Sequence, residues 1–220
     1  NKVAAENYPF CTIDPNIGIV EVNDKRLKQL SEIDQPKKVI PAVIEFVDIA
    51  GLVAGASEGE GLGNKFLANI RETDAIAHVI RCFENDDITH VSGKIDPLSD
   101  IQTINTELLL SDLAIVEKSL ARLKKLSKTG NKDILSELKV MESIEQELNE
   151  GNFLHDIYQN NKEILKQYNF LTAKPFFLIL NVADDETSGN QYTRDVIDYC
   201  NEKNISNIII SANIEYDLSM

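Results

Sequence analysis

Five apolar segments limit the fold of this chain more than any other feature of its sequence. Each is six to nine residues long, and none alternates strictly between apolar and polar residues. Such segments are typical of strands buried on both faces, which occur in parallel α/β sheets. They are IGIVEV (17–22), AVIEFVDIA (42–50), AIAHVIRCF (75–83), PFFLILNV (175–182) and ISNIIISA (205–212). The sequence therefore predicts an α/β fold with a mainly parallel sheet.

The stretch between residues 100 and 150 differs, because its apolar residues recur at helical spacing. Two stripes flank a short polar turn that contains Gly130 and Asn131, which suit a tight connection and a helix N-cap. The stripes are Leu109, Leu113, Val116, Leu120 and Leu123, then Ile134, Leu138, Met141, Ile144 and Leu148. Helices joined so closely should run antiparallel. We expect a helical hairpin inserted into the α/β sheet, and a further helix over 190–204 between the last two strands.

The composition disfavours several classes of function. The formal net charge of −14 at pH 7 opposes a general attraction to nucleic acid or to anionic membranes. Cys11, Cys82 and Cys200 show no C-x-x-C spacing, so they indicate neither a disulfide framework nor a zinc site. No apolar run of about 18 residues is present. We expect a cytoplasmic protein without membrane contact.

Six basic residues reverse the negative charge locally around the turn of the hairpin, with no acidic residue between positions 118 and 132. We call this cluster the basic tip; it comprises Lys118, Arg122, Lys124, Lys125, Lys128 and Lys132. A solvated helix end is one interpretation. Contact with RNA phosphates is the other, because clustered cations on an exposed projection suit that partner.

Polar residues follow the apolar segments at the points where the strands should end. Asp48 and Gly51 form a D-x-x-G sequence, and Thr12 lies in the loop that enters the first strand. The carboxyl ends of parallel strands are where α/β proteins bind ligands, and a loop threonine can bind Mg²⁺ through its hydroxyl. Each residue taken alone also fits an ordinary turn.

The fourth and fifth segments end in a second set of polar residues. An amide and a carboxylate three residues apart can match the donors and acceptors of a nucleotide base. The residues concerned are Asn181, Val182, Ala183 and Asp184 after one strand, and Ser211 and Ala212 after the other. We expect Thr12, Asp48, Asn181 and Ser211 to converge on one rim of the sheet.

Four segments together resemble the YchF subfamily of Obg-related translation-factor ATPases. They are NYPFCTIDPN (7–16), FVDIAGLVAGASEGEGLGNKFLANIRETDAIAHVIRCFEND (46–86), HVSGKIDP (90–97) and FLTAKP (170–175). The resemblance implies a P-loop NTPase G-domain interrupted by a coiled-coil hairpin. It also implies Mg²⁺-dependent hydrolysis of ATP in preference to GTP, and association with the ribosome. The corresponding division is G-domain over 1–98, hairpin over 99–165 and G-domain again over 166–220.

The resemblance also assigns roles to individual residues. Thr12 and Asp48 would bind Mg²⁺, and the backbone N–H of Gly51 would meet the γ-phosphate. Leu52 stands where Ras-like enzymes have a glutamine that orients the attacking water, and leucine can neither donate nor accept. By resemblance, His90 is the catalytic candidate. His78 lies within an apolar segment, and we expect it to be structural.

Two features depart from the family pattern. The sequence N-V-A-D has the carboxylate of GTP-specific N-K-x-D proteins without their lysine, whereas family members commonly show N-x-x-E. ATP stays the favoured substrate, with an Obg-type GTPase as the alternative. The chain also contains no G-x-x-x-x-G-K-[ST] sequence. The resemblance places a P-loop before Asn1 and a TGS domain after Met220, so we expect the 220 residues alone to be inactive. A non-catalytic ribosome-binding module is the alternative if the P-loop is truly absent.

Overall fold

The fold is known from a computed structural model that describes residues 16–49, 62–85, 94–157 and 162–220. These ranges contain five strands and eight helices. In chain order they are β1 (Asn16–Glu21), α1 (Lys25–Asp34), β2 (Val43–Asp48), α2 (Leu62–Glu72), β3 (Ile76–Arg81), α3 (Pro97–Leu126), α4 (Lys132–Asn149), α5 (Leu154–Ile157), α6 (Lys162–Tyr168), β4 (Phe176–Asn181), α7 (Gln191–Lys203), β5 (Ser206–Ile210) and α8 (Ala212–Leu218). No helix in these ranges is long and apolar enough to cross a membrane.

The strands form two sheets within the described residues. β1 and β2 pair antiparallel, with Asn16 opposite Asp48. β3, β4 and β5 lie side by side in that order and run parallel. The three parallel strands end together, since Arg81 lies opposite Asn181 and Asn181 opposite Ile210. We call this end the carboxyl edge. The parallel sheet with its helices confirms the α/β class.

The first two strands differ from the expectation drawn from their sequence. They pair antiparallel, and most of their apolar side chains are exposed, including Ile19 at 64% and Phe46 at 51%. The intervening helix α1 has no buried residue, so among the described elements it provides no core for these strands. An apolar run alone does not specify the direction of pairing, which is why the expectation of parallel strands buried on both faces was wrong here.

The core of the parallel sheet lies between its strands and helices α3 and α7. Ile80 and Leu180 are buried there against Ile101 and Val196. The free thiols of Cys82 and Cys200 also lie in this core. Burial raises the pKa of Cys82 to about 12, with a further contribution from the charge of Asp100. Such thiols are poor nucleophiles and act as packing groups.

The helical hairpin is present as expected. Helices α3 and α4 pack together, and all ten residues of the two apolar stripes belong to their core or pack against it. The connection consists of a 3-10 turn, Ser127–Thr129, followed by Gly130 at φ 74°. Asn131 caps α4 by accepting a hydrogen bond from the backbone N–H of Asp133 at 2.8 Å. The polar turn between the stripes therefore has the predicted structure.

A buried carboxylate joins the hairpin to the segment before β4. Asp112 of α3 is fully buried and accepts hydrogen bonds from the backbone N–H groups of Leu171 and Thr172, at 3.0 and 2.8 Å. The Thr172 hydroxyl donates a third bond at 2.9 Å. Burial raises the pKa of Asp112, while the bonds from Thr172 and Leu171 and the charge of Arg71 act in the opposite direction.

The carboxyl end of α2 is hydrogen-bonded to α3 and to the same segment before β4. Arg71 donates to the Ser111 hydroxyl at 2.7 Å and to the backbone carbonyl of Asn169 at 2.9 Å. The ammonium of Lys174 donates to the carbonyls of Arg71 and Thr73, which lie at the carboxyl end of α2. A cation suits this position because the carbonyls at the end of a helix lack intrahelical partners. The resulting clamp of Arg71, Asp112, Thr172 and Lys174 joins α2, α3 and the approach to β4.

Candidate functional site

The candidate site lies at the carboxyl edge, where β4 and β5 end side by side. Pairing of the strands continues one step past their ends: the backbone N–H of Val182 donates to the carbonyl of Ile210 at 2.9 Å, and that of Cys82 donates to the carbonyl of Asn181 at 2.8 Å. Val182 is also buried in the sheet core. The backbone at Asn181 and Val182 is therefore held from both sides.

The side chain of Asn181 joins the two loops that leave this edge. Its Oδ1 accepts a hydrogen bond at 2.9 Å from the backbone N–H of Ala212, at the start of α8. Ser211 precedes that residue as the N-cap of α8, and its side chain is buried. The two strand ends predicted from sequence are thus in direct contact.

The carboxylate of Asp184 makes a second connection between the same loops. The Ser211 hydroxyl donates to its Oδ1 at 2.6 Å, and the Asn213 side-chain amide donates to its Oδ2 at 2.6 Å. These bonds, that from Ser211 first, lower the pKa of Asp184 below its ordinary value. The exposed Asp184 side chain is consequently a charged acceptor group at neutral pH.

The structure therefore brings together Asn181, Asp184, Ser211 and Ala212 from the predicted base-reading set. Val182 and Ala183 span the short distance between the amide and the carboxylate. The group combines amide, carboxylate and hydroxyl functions, which is the inventory needed to recognise a polar planar ring. Its role in binding a base stays a prediction.

The loop after Asp184 is held by residues that the sequence did not single out. Gly189 has φ 93°, and a Cβ there would lie 2.7 Å from the Thr193 Oγ1, so glycine fits both the backbone and the space. Asn190 caps α7, and its amide donates to the carbonyl of Cys82 at 2.6 Å and to Glu186 at 2.7 Å. The signal that could have revealed this loop was the Gly-Asn pair immediately before a helical pattern.

Asp48 is the only predicted metal ligand within the described residues. It is exposed at the end of β2, in the antiparallel pair, and strand pairing in the described ranges does not connect it to the carboxyl edge. The described residues contain no group of three or more His, Cys, Asp or Glu arranged to hold a metal ion. A single carboxylate still fits Mg²⁺, which keeps several waters and takes one or two carboxylates together with substrate phosphates.

Three of the predicted site residues, Thr12, Gly51 and His90, lie outside the described residues. Convergence of the predicted rim is thus seen for Asn181 and Ser211, which belong to adjacent strand ends. Asn213 is a residue of this site that the sequence reasoning missed. Its place two residues after Ser211, in the first turn of a helix, is the signal that could have found it.

Comparison with known proteins adds independent information. The sequence profile described as 50S ribosome-binding GTPase matches residues 1–118. The ribosome-binding ATPase YchF of Haemophilus influenzae is 52% identical over 219 residues, which cover 99% of this chain and 60% of that protein. The ribosome-binding ATPase YchF of Bacillus subtilis is 46% identical over 218 residues, covering 97% of this chain and 60% of that protein.

A solved structure is also similar. The YchF GTPase of Schizosaccharomyces pombe superimposes with a TM-score of 0.78 at 35% sequence identity, covering 96% of this chain and 59% of that one. The chain thus spans about 60% of the length of the relatives that it matches. The names of these relatives differ in the nucleotide they specify.

Proposed function

The chain belongs to the YchF branch of the 50S ribosome-binding GTPase family, and on that basis we propose that it is the nucleotide-binding part of a ribosome-associated switch that hydrolyses ATP. The observation that supports the nucleotide site best is the cluster of Asn181, Asp184, Ser211 and Ala212 at the carboxyl edge. Ligand sites of open α/β sheets form at this edge. The base of the nucleotide would lie against this cluster.

An NMR titration tests the proposed base site on the 220-residue chain. Millimolar ATP with Mg²⁺ should shift the backbone amide signals of residues 181–184 and 211–213. Asn181→Ala should weaken that binding roughly tenfold, because it leaves the Ala212 N–H without its acceptor and removes a polar contact for the base. Asn201→Ala, an exposed change on α7, is the matched control. Shifts confined to other parts of the chain would contradict the proposed site.

The phosphate end of the site would involve residues on the N-terminal side. We propose that Thr12 and Asp48 hold Mg²⁺ and that the backbone N–H of Gly51 meets the γ-phosphate. When bound, Mg²⁺ neutralises charge on the phosphates. Asp48 would contribute carboxylate oxygens, and the absence of a side chain at Gly51 would let the phosphate approach the backbone.

His90 is proposed to orient the attacking water, since Leu52 cannot donate or accept a hydrogen bond. His90→Ala, placed in a longer version of the chain that is supplied with a P-loop, should slow ATP hydrolysis roughly 10²-fold or more. Nucleotide affinity should stay the same, because the imidazole would act on the water. His78→Leu is the control, as that histidine lies inside β3. Unchanged turnover in His90→Ala would remove the assigned role.

Two alternatives remain open to experiment. An Obg-type GTPase would bind GTP more tightly than ATP in direct competition. A non-catalytic ribosome-binding module would associate with ribosomes without measurable nucleotide affinity. Both are distinguished from the proposed ATPase by measuring the binding of ATP, of GTP and of ribosomes to the same protein preparation.

The partner is proposed to be the ribosome, which the names of the relatives mention. The location is proposed to be the cytoplasm. The hairpin over 99–165, inserted between G-domain parts 1–98 and 166–220, would present the basic tip to ribosomal RNA. All six basic side chains are exposed. Arg122 also donates to the Tyr168 hydroxyl at 3.0 Å and lies 3.8 Å from Glu137, so the five lysines are the stronger candidates for phosphate contact.

A further inference from the structure

The carboxylate of Asp184 is already engaged on both of its oxygens. Ser211 occupies Oδ1 and Asn213 occupies Oδ2, each at 2.6 Å. Ser211 is buried and also caps α8, with its hydroxyl 3.4 Å from the backbone N–H of Ile214. Asn213 is exposed in the first turn of that helix. The bond from Ser211 thus belongs to the framework of the loop, whereas the bond from Asn213 adds a donor group at the surface of the site.

The bond from Asn213 changes what the carboxylate can recognise. A free carboxylate presents acceptors only, which match the two neighbouring donors, N1–H and N2–H, on the edge of guanine. An amide bonded to that carboxylate through one hydrogen still has a second N–H to donate. The Asp184–Asn213 pair therefore presents an acceptor beside a donor. Adenine carries the complementary pattern, because its N6 amino group donates and its N1 accepts.

We propose that Asn213 is a specificity-determining residue that gives the site its preference for adenine over guanine. This inference depends on the proposed nucleotide site and goes beyond it, since it explains how a chain with the GTP-like sequence N-V-A-D could still prefer ATP. Guanine would have to place a donor against the Asn213 amide or displace that amide from Asp184. Either event leaves a polar group without a partner, which disfavours binding.

Removing the amide tests the proposal. In the 220-residue chain, amide shift titrations with ATP and with GTP, each with Mg²⁺, should give tighter binding of ATP. Asn213→Ala should reduce the ratio of the two affinities roughly tenfold, chiefly by improving the affinity for GTP. Glu215→Gln, an exposed change on the same helix, should leave the ratio as it was. If Asn213 had only a structural role, Asn213→Ala would weaken the binding of both nucleotides equally, and the ratio of their affinities would not change.

A second measurement shows whether the contact exists in solution without nucleotide. A carbon-detected titration of Asp184 should find its pKa higher in Asn213→Ala than in the parent chain, because one of the two bonds that lower it is gone. The same pKa in both proteins would overturn the proposal.

The outcomes separate this inference from the proposed function. Binding of both nucleotides at residues 181–184, with a ratio of affinities that Asn213→Ala leaves unchanged, would overturn the specificity role alone. Preference of the parent chain for GTP would overturn the specificity role and would also favour the Obg-type GTPase over the proposed ATPase. If neither ATP nor GTP shifts those amides, the proposed site is overturned and this inference with it.

Discussion

His78 is a half-buried histidine whose surroundings indicate packing and not catalysis. It lies in β3 with its ring centroid 6.2 Å from that of Phe176, and its buried Nδ1 has no hydrogen-bond partner within the part of the chain that the structure describes. Burial lowers the pKa of His78 to about 4. The imidazole is therefore neutral at physiological pH, in agreement with a packing role.

The lowered pKa of His78 predicts a pH dependence of stability. Between about pH 6.5 and 4 the unfolded chain binds a proton at this residue and the folded chain does not, so stability is lost as the pH falls. The contribution is about 3 kcal/mol at most, from the 1.36 kcal/mol that each pKa unit represents. Urea unfolding at several pH values measures the free energy of unfolding.

Two variants isolate this contribution from the carboxylates that titrate in the same range. His78→Leu and His78→Gln cannot titrate, so both should lose less stability than the parent chain between pH 6.5 and 4. Gln keeps a polar side chain at position 78 and Leu does not, so comparing the two variants separates the loss of a titrating group from the loss of polarity. Identical pH slopes in all three proteins would show that His78 does not titrate differently on folding.

At the level of elements, the β1–β2 pair differs from the parallel sheet in its support. Six residue pairs connect the two strands, yet none of their side chains belongs to the buried core clusters of the described residues. A two-stranded ribbon is only marginally stable on its own. The three-stranded sheet, by contrast, has its central strand β4 buried at Leu178 and Leu180.

We therefore expect the β1–β2 pair to open far more readily than the parallel sheet. Native-state hydrogen exchange should show weak protection for the paired amides of β1 and β2. The amides of β4 should exchange close to the rate set by global unfolding. Protection in the ribbon equal to that in β4 would contradict this expectation.

The basic tip predicts a measurable salt dependence of RNA binding. Changing Lys118, Lys124, Lys125, Lys128 and Lys132 to Gln should weaken binding to ribosomal RNA. It should also reduce the slope of log affinity against log salt concentration by roughly 0.7 to 0.9 for each phosphate that a lysine no longer neutralises. Filter binding at several salt concentrations measures both quantities.

Four lysines elsewhere provide the control for the basic tip. All four are exposed, and they lie on or after α1, outside the hairpin segment: Lys25, Lys28, Lys37 and Lys38. Their replacement by Gln changes the net charge by a similar amount but should preserve the slope. If the control variant reduces the slope as much as the tip variant does, the attraction is general and the tip is a solvated helix end.

At the level of the whole molecule, no G-x-x-x-x-G-K-[ST] sequence occurs among the 220 residues. The backbone N–H groups and lysine of such a loop form the main phosphate cradle of P-loop proteins. Base contacts at the carboxyl edge would then have to supply most of the affinity.

We accordingly expect the chain alone to bind ATP weakly and to hydrolyse almost none. Isothermal titration should give an affinity no tighter than the millimolar range, and phosphate release should match the uncatalysed background. Asn181→Ala serves as the comparison, since weakening of the base site should reduce the heat of binding further. Micromolar ATP binding by the parent chain would contradict the expectation.

Much of the architecture follows from local patterns in the sequence. The apolar segments predicted the five strands to within a few residues. The two apolar stripes predicted the hairpin, and Gly130 and Asn131 predicted its turn and the cap of α4. These features depend on the spacing of residues close together in the chain, and spacing is what backbone geometry converts into a strand or a helix. The predicted residues of the candidate base site could be named for the same reason, because each lies at a strand end or just after it.

Tertiary structure decided the contacts between distant parts of the chain. The bonds of Asp112 to residues 171 and 172 span 59 and 60 positions, and the bond of Lys174 to Arg71 spans 103. Nothing in the local pattern marks such partners, since a buried polar group is satisfied by whichever elements the fold brings to it. The antiparallel pairing of β1 with β2 and the hydrogen bond from Asn213 to Asp184 are likewise contacts between residues that are distant in the chain. Local spacing specifies the elements, whereas the packing of those elements decides which polar groups meet.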